Sequence, residues 1–249
     1  GGGKTVIFSV IVRQYLKNHN KRVLIMTHRI ELLTQTSKML TEFGVINKVV
    51  NSTANLDDQD QYSCFVAMVE TLNNRLQDEK FDISNIGLVI IDEAHYNSFT
   101  KLFGYFDKSF ILGVTATPLS SNIKLPMNDN YNELIVGETI EALIENEFLS
   151  RANTYSYNVG LTSLEIGANG DYTVKSSEDL YTTNDMLSKL MHAYEEHSKG
   201  KKTLIFNNGI NTSLHVYDAF SYAGYPVRHL DNTATKKQRQ EILEWFHVT

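Results

Sequence analysis

The chain has 249 residues, 42% hydrophobic and 21% charged, with a net charge of −6. Those proportions exclude a disordered or collagenous chain and suit one large globular domain or two small ones. A single cysteine, Cys64, excludes an internal disulfide and a cysteine-built zinc site. No apolar stretch reaches the ~20 residues of a membrane span. The opening Gly1-Gly2-Gly3-Lys4-Thr5 is not the charged-then-apolar start of a signal peptide. An intracellular, reducing and cytoplasmic setting is therefore expected. Residues 1–150 carry 13 basic and 18 acidic residues, and residues 151–249 carry 10 and 11, so neither half is a polybasic tail. A nucleic-acid partner would need a local basic track rather than bulk charge.

Taken in order, Ile7, Val10, Ile11 and Tyr15 recur at helical spacing and predict a helix over 5–18. Val23-Leu24-Ile25-Met26 is a short apolar run, and Leu33, Leu40 and Phe43 give a second helix over 29–42. Further apolar runs lie at Ser63 to Met68, Leu88 to Ile91 and Phe110 to Val114. Runs apolar on both faces suit strands buried between helix layers, as in a parallel sheet. The pattern is α/β. From 119 to 150 it loosens around Pro118, Pro126 and Asn128-Asp129-Asn130, with a helix at about 138–146. Residues 153–182 are polar and Tyr-rich, with turn signals at Gly167 and Asn169-Gly170, and predict a connector with a hairpin. The α/β rhythm then resumes. Helices are expected at 184–198, 212–223 and 236–247, with strands at Thr203-Leu204-Ile205-Phe206 and near 226–230.

Three motifs carry chemistry. Gly1-Gly2-Gly3-Lys4-Thr5 matches the last part of a phosphate loop, G-x-x-x-x-G-K-[ST]. Backbone N–H groups of such a loop cradle phosphate, the lysine reaches the β- and γ-phosphates, and the hydroxyl serves Mg²⁺. Read alone it is equally a Gly-rich terminus; the amphipathic helix that follows favours the loop. Asp92-Glu93-Ala94-His95 follows the run Leu88 to Ile91, which puts two acids at the C-terminal edge of a sheet, where ligands sit in open α/β sheets. There Asp92 is placed to hold a metal and Glu93 to polarise a water. Val114-Thr115-Ala116-Thr117-Pro118 closes a third run and by itself reads as a Thr-rich turn. The ordered combination of the three is far more specific than any one of them.

With these motifs in place the sequence resembles superfamily 2 helicases and translocases of the DEAD/DEAH type. The nearest branch is that of RadD-like proteins and the motor subunits of type I and type III restriction enzymes. The segment Thr27-His28-Arg29-Ile30-Glu31-Leu32-Leu33-Thr34-Gln35 resembles the stretch that such motors lay along a nucleic-acid backbone. Val66 to Leu72 resembles their next strand–helix element. Leu204 to Gly209 resembles the first strand of the second RecA-like domain, and His229-Leu230-Asp231 through Arg239 and Phe246 its following segment.

The resemblance implies two RecA-like (P-loop NTPase) parallel-sheet domains, the first without its N-terminal strand and the second truncated at its C-terminus. Their expected limits are 1–150 for the first, 151–182 for a connector and 183–249 for the second. It implies ATP and Mg²⁺ as cofactors, bound by Gly1, Gly2, Gly3, Lys4, Thr5 and Asp92. Thr5 and Asp92 would serve the metal, and Lys4, Asp92 and Glu93 would be catalytic, with Glu93 as base. His95, Thr115 and Thr117 would couple nucleotide state to grip, while Thr27, Arg29, Thr71, Asn208 and Gly209 would touch the phosphodiester backbone. DNA is favoured over RNA, DNA repair is a fitting setting, and further subunits or domains are admitted as partners.

Departures are specific. Ser120 stands where the family often has Arg, and Met68 and Glu70 replace the usual Thr and Gln. An adenine-reading segment would precede Gly1 and arginine fingers would follow Thr249. Such an arginine is worth ~10³–10⁵ in rate, so this length alone is expected to turn ATP over weakly. The alternatives are a double-stranded DNA translocase that does not separate strands and a catalytically silent binding fragment. A phosphate-loop kinase or GTPase would leave Thr115 to Pro118 without a role. Cys64, Trp245 and Phe246 read as core, and Asp57-Asp58-Gln59-Asp60 and Lys199-Gly200-Lys201-Lys202 as solvated loops. The eight histidines show no metal-ligand spacing.

Overall fold

The computed structural model describes residues 3–119, 124–167 and 171–248, and of Asn97 the main chain alone. The chain divides into two compact units, Gly1–Asn146 and Glu147–Thr249.

The first unit is built on five strands, β1 (Arg22–Thr27), β2 (Lys48–Val50), β3 (Cys64–Met68), β4 (Ile86–Asp92) and β5 (Phe110–Val114). They lie in the order β2-β3-β1-β4-β5 and every pairing is parallel. Alternate side chains point to opposite faces of such a sheet, so each apolar run must be covered twice. On one face Val23, Ile25, Cys64, Val66, Leu88 and Ile90 pack against Phe8 and Val12 of α1 (Lys4–Asn18) and Leu33 and Leu40 of α2 (Ile30–Glu42). On the other face Leu24, Met26, Phe65, Ala67, Val89 and Ile91 meet Leu72 and Leu76 of α3 (Val69–Gln77). Phe99, Leu102 and Phe106, in and just after a 3₁₀ stretch at Asn97–Tyr105, close that face. Each fully buried Leu, Ile or Phe contributes about 1.5–3 kcal/mol of transfer free energy. All seven residues of β4 are buried, whereas its neighbour β5 is an edge strand with Phe110 exposed and the other four residues of intermediate burial. Cys64 is a core residue, and burial pushes its thiol pKa up.

The chain returns over β5 through Tyr131. The ring lies where a side chain on Gly113 would sit: a Cβ there would fall 2.6 Å from Tyr131 Cε1 and 2.9 Å from the Ala94 methyl. The phenol is buried with no hydrogen-bond partner, and desolvation pushes its pKa up to about 12. A short helix α4 (Ile140–Glu145), capped by Thr139 accepting from the Ala142 N–H, ends the unit.

The second unit contains α5 (Val174–Tyr181), α6 (Asn184–His197), α7 (Ile210–Tyr222) and α8 (Lys236–Val248). Thr173 and Thr183 cap α5 and α6 with side-chain oxygens, the residue type that satisfies first-turn N–H groups. Tyr194, Phe220 and Tyr225 form its aromatic centre, with ring centroids 5.0–5.9 Å apart. His229 bridges Ser213 Oγ at 2.9 Å and Asp231 Oδ2 at 3.0 Å, and Arg239 donates to the Asp231 carbonyl. Hydrogen bonds from Thr233 and His229 hold the Asp231 carboxyl down at about 2.

Three expectations change here. Thr203 to Phe206 and 226–230 are not assigned as strands, and Phe206 is 92% exposed. An apolar run becomes a strand only when a neighbour completes its hydrogen-bond ladder, and among the described residues these runs have none. The hairpin expected in 153–182 is present as a short antiparallel pairing, Ile166↔Tyr172, flanked by hydrogen bonds from Gly167 N–H to the Asp171 carbonyl and from Thr173 N–H to the Glu165 carbonyl. The turn signal Asn169-Gly170 lies outside the described residues. Helix α5, expected as connector, occupies the end of that segment. No helix among the described residues is long and apolar enough to cross a membrane.

Candidate active site at the edge of the parallel sheet

The parallel register aligns the strand ends. Met26 lies opposite Ile91, and Asp92 opposite Val114, so Thr27, Asp92 and Val114 mark one C-terminal edge. The connections leave β1 and β4 toward opposite sides of the sheet. That divergence opens a crevice above the two strands, the usual ligand site of open α/β sheets.

Into this crevice the fold brings the N-terminus of α1. Gly3, the N-cap, is in the left-handed region at φ 66°, and no side chain caps the helix. The uncapped first-turn N–H groups and the helix dipole favour an anion there. Gly1 and Gly2 lie outside the described residues. Lys4 Nζ donates to Glu93 Oε1 at 2.5 Å, with both side chains about one quarter exposed. The other carboxylate oxygen, Oε2, is 3.4 Å from His95 Nδ1, which is itself 2.9 Å from Thr115 Oγ1. Thr115 Oγ1 accepts from the Thr117 N–H at 3.1 Å. Lys4, Glu93, His95, Thr115 and Thr117, far apart in the chain, thus form one connected set.

Asp92 stands behind this set, 3% exposed, its Oδ1 accepting the Glu93 N–H at 3.0 Å. Burial raises its carboxyl pKa, and the Lys4 charge works in the opposite direction. Glu93 has φ 55°, a left-handed conformation that costs a non-glycine residue about 1–2 kcal/mol. That conformation turns the Glu93 side chain toward Lys4 and away from the strand line.

The residues present fit a magnesium ion. Thr5 and Asp92 offer hard oxygen donors, and a buried carboxylate with a raised pKa gains from a nearby cation. Among the described residues no group of three or more His, Cys, Asp or Glu is placed to hold a metal.

The expected backbone-contacting residues belong to different elements of each unit. Thr27 is fully buried, and its Oγ1 has no hydrogen-bond partner. Arg29 is exposed as the N-cap of α2 and donates Nε to His28 Nε2 at 3.2 Å. Thr71 is half-buried in the first turn of α3. In the second unit Asn208 donates to Ser177 Oγ at 2.9 Å, and Gly209 sits at φ 103° as the N-cap of α7. Glu178 Oε1 accepts the Asn211 N–H beside it. Sequence reasoning missed Ser177 and Glu178, which hold this turn, and also His28 and Tyr96. The last two directly follow residues that the motifs named, and only that adjacency could have marked them.

The fold is a parallel α/β sheet with the N-terminus of α1 and the set Lys4, Glu93, His95 and Thr115 at its C-terminal edge. Residues 1–120 match the family described as "Type III restriction enzyme, res subunit". The chain is 27% identical over 248 residues to the "51.5 kDa protein" of a Lactococcus phage, covering 98% of this chain and 50% of that protein. It is 26% identical over 267 residues to the "Putative ATP-dependent helicase IRC3" of Saccharomyces cerevisiae, covering 99% of this chain and 38% of that protein. The chain therefore spans half or less of these curated relatives. In fold it is similar to the helicase domain of Pyrococcus furiosus Hef, with 16% identity and a TM-score of 0.51 over 89% of this chain and 49% of that one.

Proposed function

We propose that this chain is the motor part of an ATP-dependent nucleic-acid helicase that couples ATP hydrolysis to movement along a strand. The observation that carries this reading is the connected set Lys4–Glu93–His95–Thr115 at the C-terminal edge of the sheet. Gly1, Gly2, Gly3, Lys4 and Thr5 bind the nucleotide phosphates. Thr5 and Asp92 would hold Mg²⁺, which when bound would supply charge neutralisation at the phosphates. Glu93 takes a proton from the attacking water, and until nucleotide arrives it is held by Lys4. His95, Thr115 and Thr117 join that carboxylate to the loop after β5, so a change at the γ-phosphate is felt there.

Arg29 and Thr71, with Asn208 and Gly209 of the second unit, contact the sugar–phosphate backbone, which positions a strand without reading its sequence. DNA is the favoured substrate, in keeping with the restriction-subunit likeness of residues 1–120. The second unit acts as the partner RecA-like domain, with 151–182 as connector, and the location is cytoplasmic.

Separation of a forked DNA duplex by the full-length protein tests the reading. ATP should be required, and ADP should not replace it. A second reading, duplex translocation without strand separation, is favoured by the same family match. It predicts displacement of a third strand from a triplex with the fork left intact. Failure in both assays, with a folded protein, overturns the motor reading.

A further inference from the structure

Two histidines pack against the ring of Tyr96. His95 packs on its ring at a centroid distance of 4.3 Å and 37°, and His28 packs on it at 4.3 Å and 45°. His28 also meets Phe99 edge-on at 6.4 Å. His95 also meets Glu93 at 3.4 Å, and His28 accepts from Arg29 at 3.2 Å. A continuous line of contacts, Glu93–His95–Tyr96–His28–Arg29, thus joins the end of β4 to the exposed arginine after β1.

The tautomer of His28 makes this line unusual. Its Nε2 accepts from Arg29, so the hydrogen-bond pattern assigns the proton of the neutral ring to Nδ1. Burial and the Arg29 charge both lower its pKa, which keeps the ring neutral at pH 7. Yet Nδ1 is buried with no partner, and so is the hydroxyl of Thr27 next to it. Neighbouring buried polar groups without partners are costly, so little holds the His28 ring in place besides the Arg29 hydrogen bond and its ring contacts. Once the Arg29 guanidinium turns to a phosphate, Nε2 is released and the ring is free to rotate against Tyr96.

We propose that His28 is a positioning residue that couples nucleic-acid contact at Arg29 to the Glu93 carboxylate through the Tyr96 ring. This rests on the motor reading above. The coupling needs both links: the Arg29–His28 hydrogen bond and the His28–Tyr96 ring contact. It adds a route from the β1 end to the catalytic carboxylate, separate from the Thr115 loop. The link couples the two sites to the extent that Arg29 held by His28 and Arg29 turned to phosphate are two arrangements that both sites bias.

The test is steady-state ATP turnover of the full-length protein with and without a single-stranded DNA oligonucleotide. The variants are His28→Phe, which keeps a ring on Tyr96 but cannot accept from Arg29, and His28→Gln, which keeps an acceptor but no ring. Each should lower the stimulation ratio by about tenfold or more while the KM for ATP stays within about twofold. A merely structural role would shift the melting temperature and KM together and leave the ratio alone, and that pattern overturns the proposal. A variant that keeps the wild-type ratio overturns it too, with the motor reading intact. A wild-type protein that oligonucleotide does not stimulate overturns both. Should His28→Gln fail to fold, the ratio in His28→Phe decides.

Discussion

Glu93→Gln separates chemistry from stability at one position. Glutamine keeps the size and hydrogen-bonding reach of the side chain but removes the charge and the basic oxygen. In the folded chain Glu93 holds Lys4 at 2.5 Å, with side-chain exposures of 27% and 25%. A pair that exposed is screened by water, so losing it costs about 0.5–1 kcal/mol. At roughly 2–4 °C per kcal/mol for a chain of this size, the melting temperature should fall by about 1–4 °C. The backbone penalty at φ 55° is the same for Gln as for Glu and does not enter the comparison. Turnover is different in scale: removing a general base costs about 10²–10⁴ in rate. Glu93→Gly provides the control, because glycine adopts positive φ freely. It regains about 1–2 kcal/mol of backbone strain and gives back about 0.5–1 kcal/mol through its flexible unfolded chain. It should melt at or above Glu93→Gln and be as inactive. The assay is ATP turnover of the full-length protein at saturating MgATP and oligonucleotide, beside thermal melts. Turnover of Glu93→Gln within threefold of wild type would refute the assignment of the base. A large drop in melting temperature accompanying the lost activity would refute the claim that the two are separable.

Three further outcomes are expected. Gly113→Ala should destabilise the first unit by about 1–3 kcal/mol, read by urea midpoint, because its methyl would overlap the Tyr131 ring and approach the Ala94 methyl; an unchanged midpoint would mean Tyr131 does not pack there. Asp231→Asn should be less stable than wild type near neutral pH. The folded-state pKa of Asp231 is about 2 against an ordinary 3.8, so its contribution is full above that ordinary value and fades as pH falls toward 2. The gap between the two midpoints should therefore narrow from pH 5 to pH 2.5, and a gap independent of pH would show that the Thr233 and His229 hydrogen bonds do not act on the charged form. Oligonucleotide affinity should drop by about 10- to 100-fold between 50 and 200 mM salt, as for roughly three to five neutralised phosphates; a flat profile would contradict backbone contact.

Much of the first unit was legible because β1, β3 and β4 are buried on both faces, and such strands read as uninterrupted apolar runs. β2 was not, since Lys48-Val49-Val50 is too short to stand out from its surroundings. The same criterion placed strands at Thr203 to Phe206 and 226–230, where the described structure has none. Apolar character reports what a run can bury and says nothing of whether a ladder partner lies beside it. Helix α5 went unseen because its residues are mostly polar and its helix signal is chiefly the Thr173 cap, which follows a turn-rich stretch. Of the site, Lys4, Asp92, Glu93, His95 and Thr115 were marked by spacing and by strand ends, and the structure gathers them. Thr27 is buried where a phosphate contact was expected, since the burial of β1 runs through its last residue. His28 and Tyr96 depend on ring packing between two strand ends, which no one-dimensional pattern records.

The most direct measurement of the central claim is ATP turnover by the full-length protein as single-stranded DNA is titrated in, with Lys4→Ala run in parallel. The account predicts turnover that rises to saturation with DNA in the wild type and stays near background at every DNA concentration in Lys4→Ala. Turnover that ignores DNA, or that survives the loss of Lys4, would contradict it.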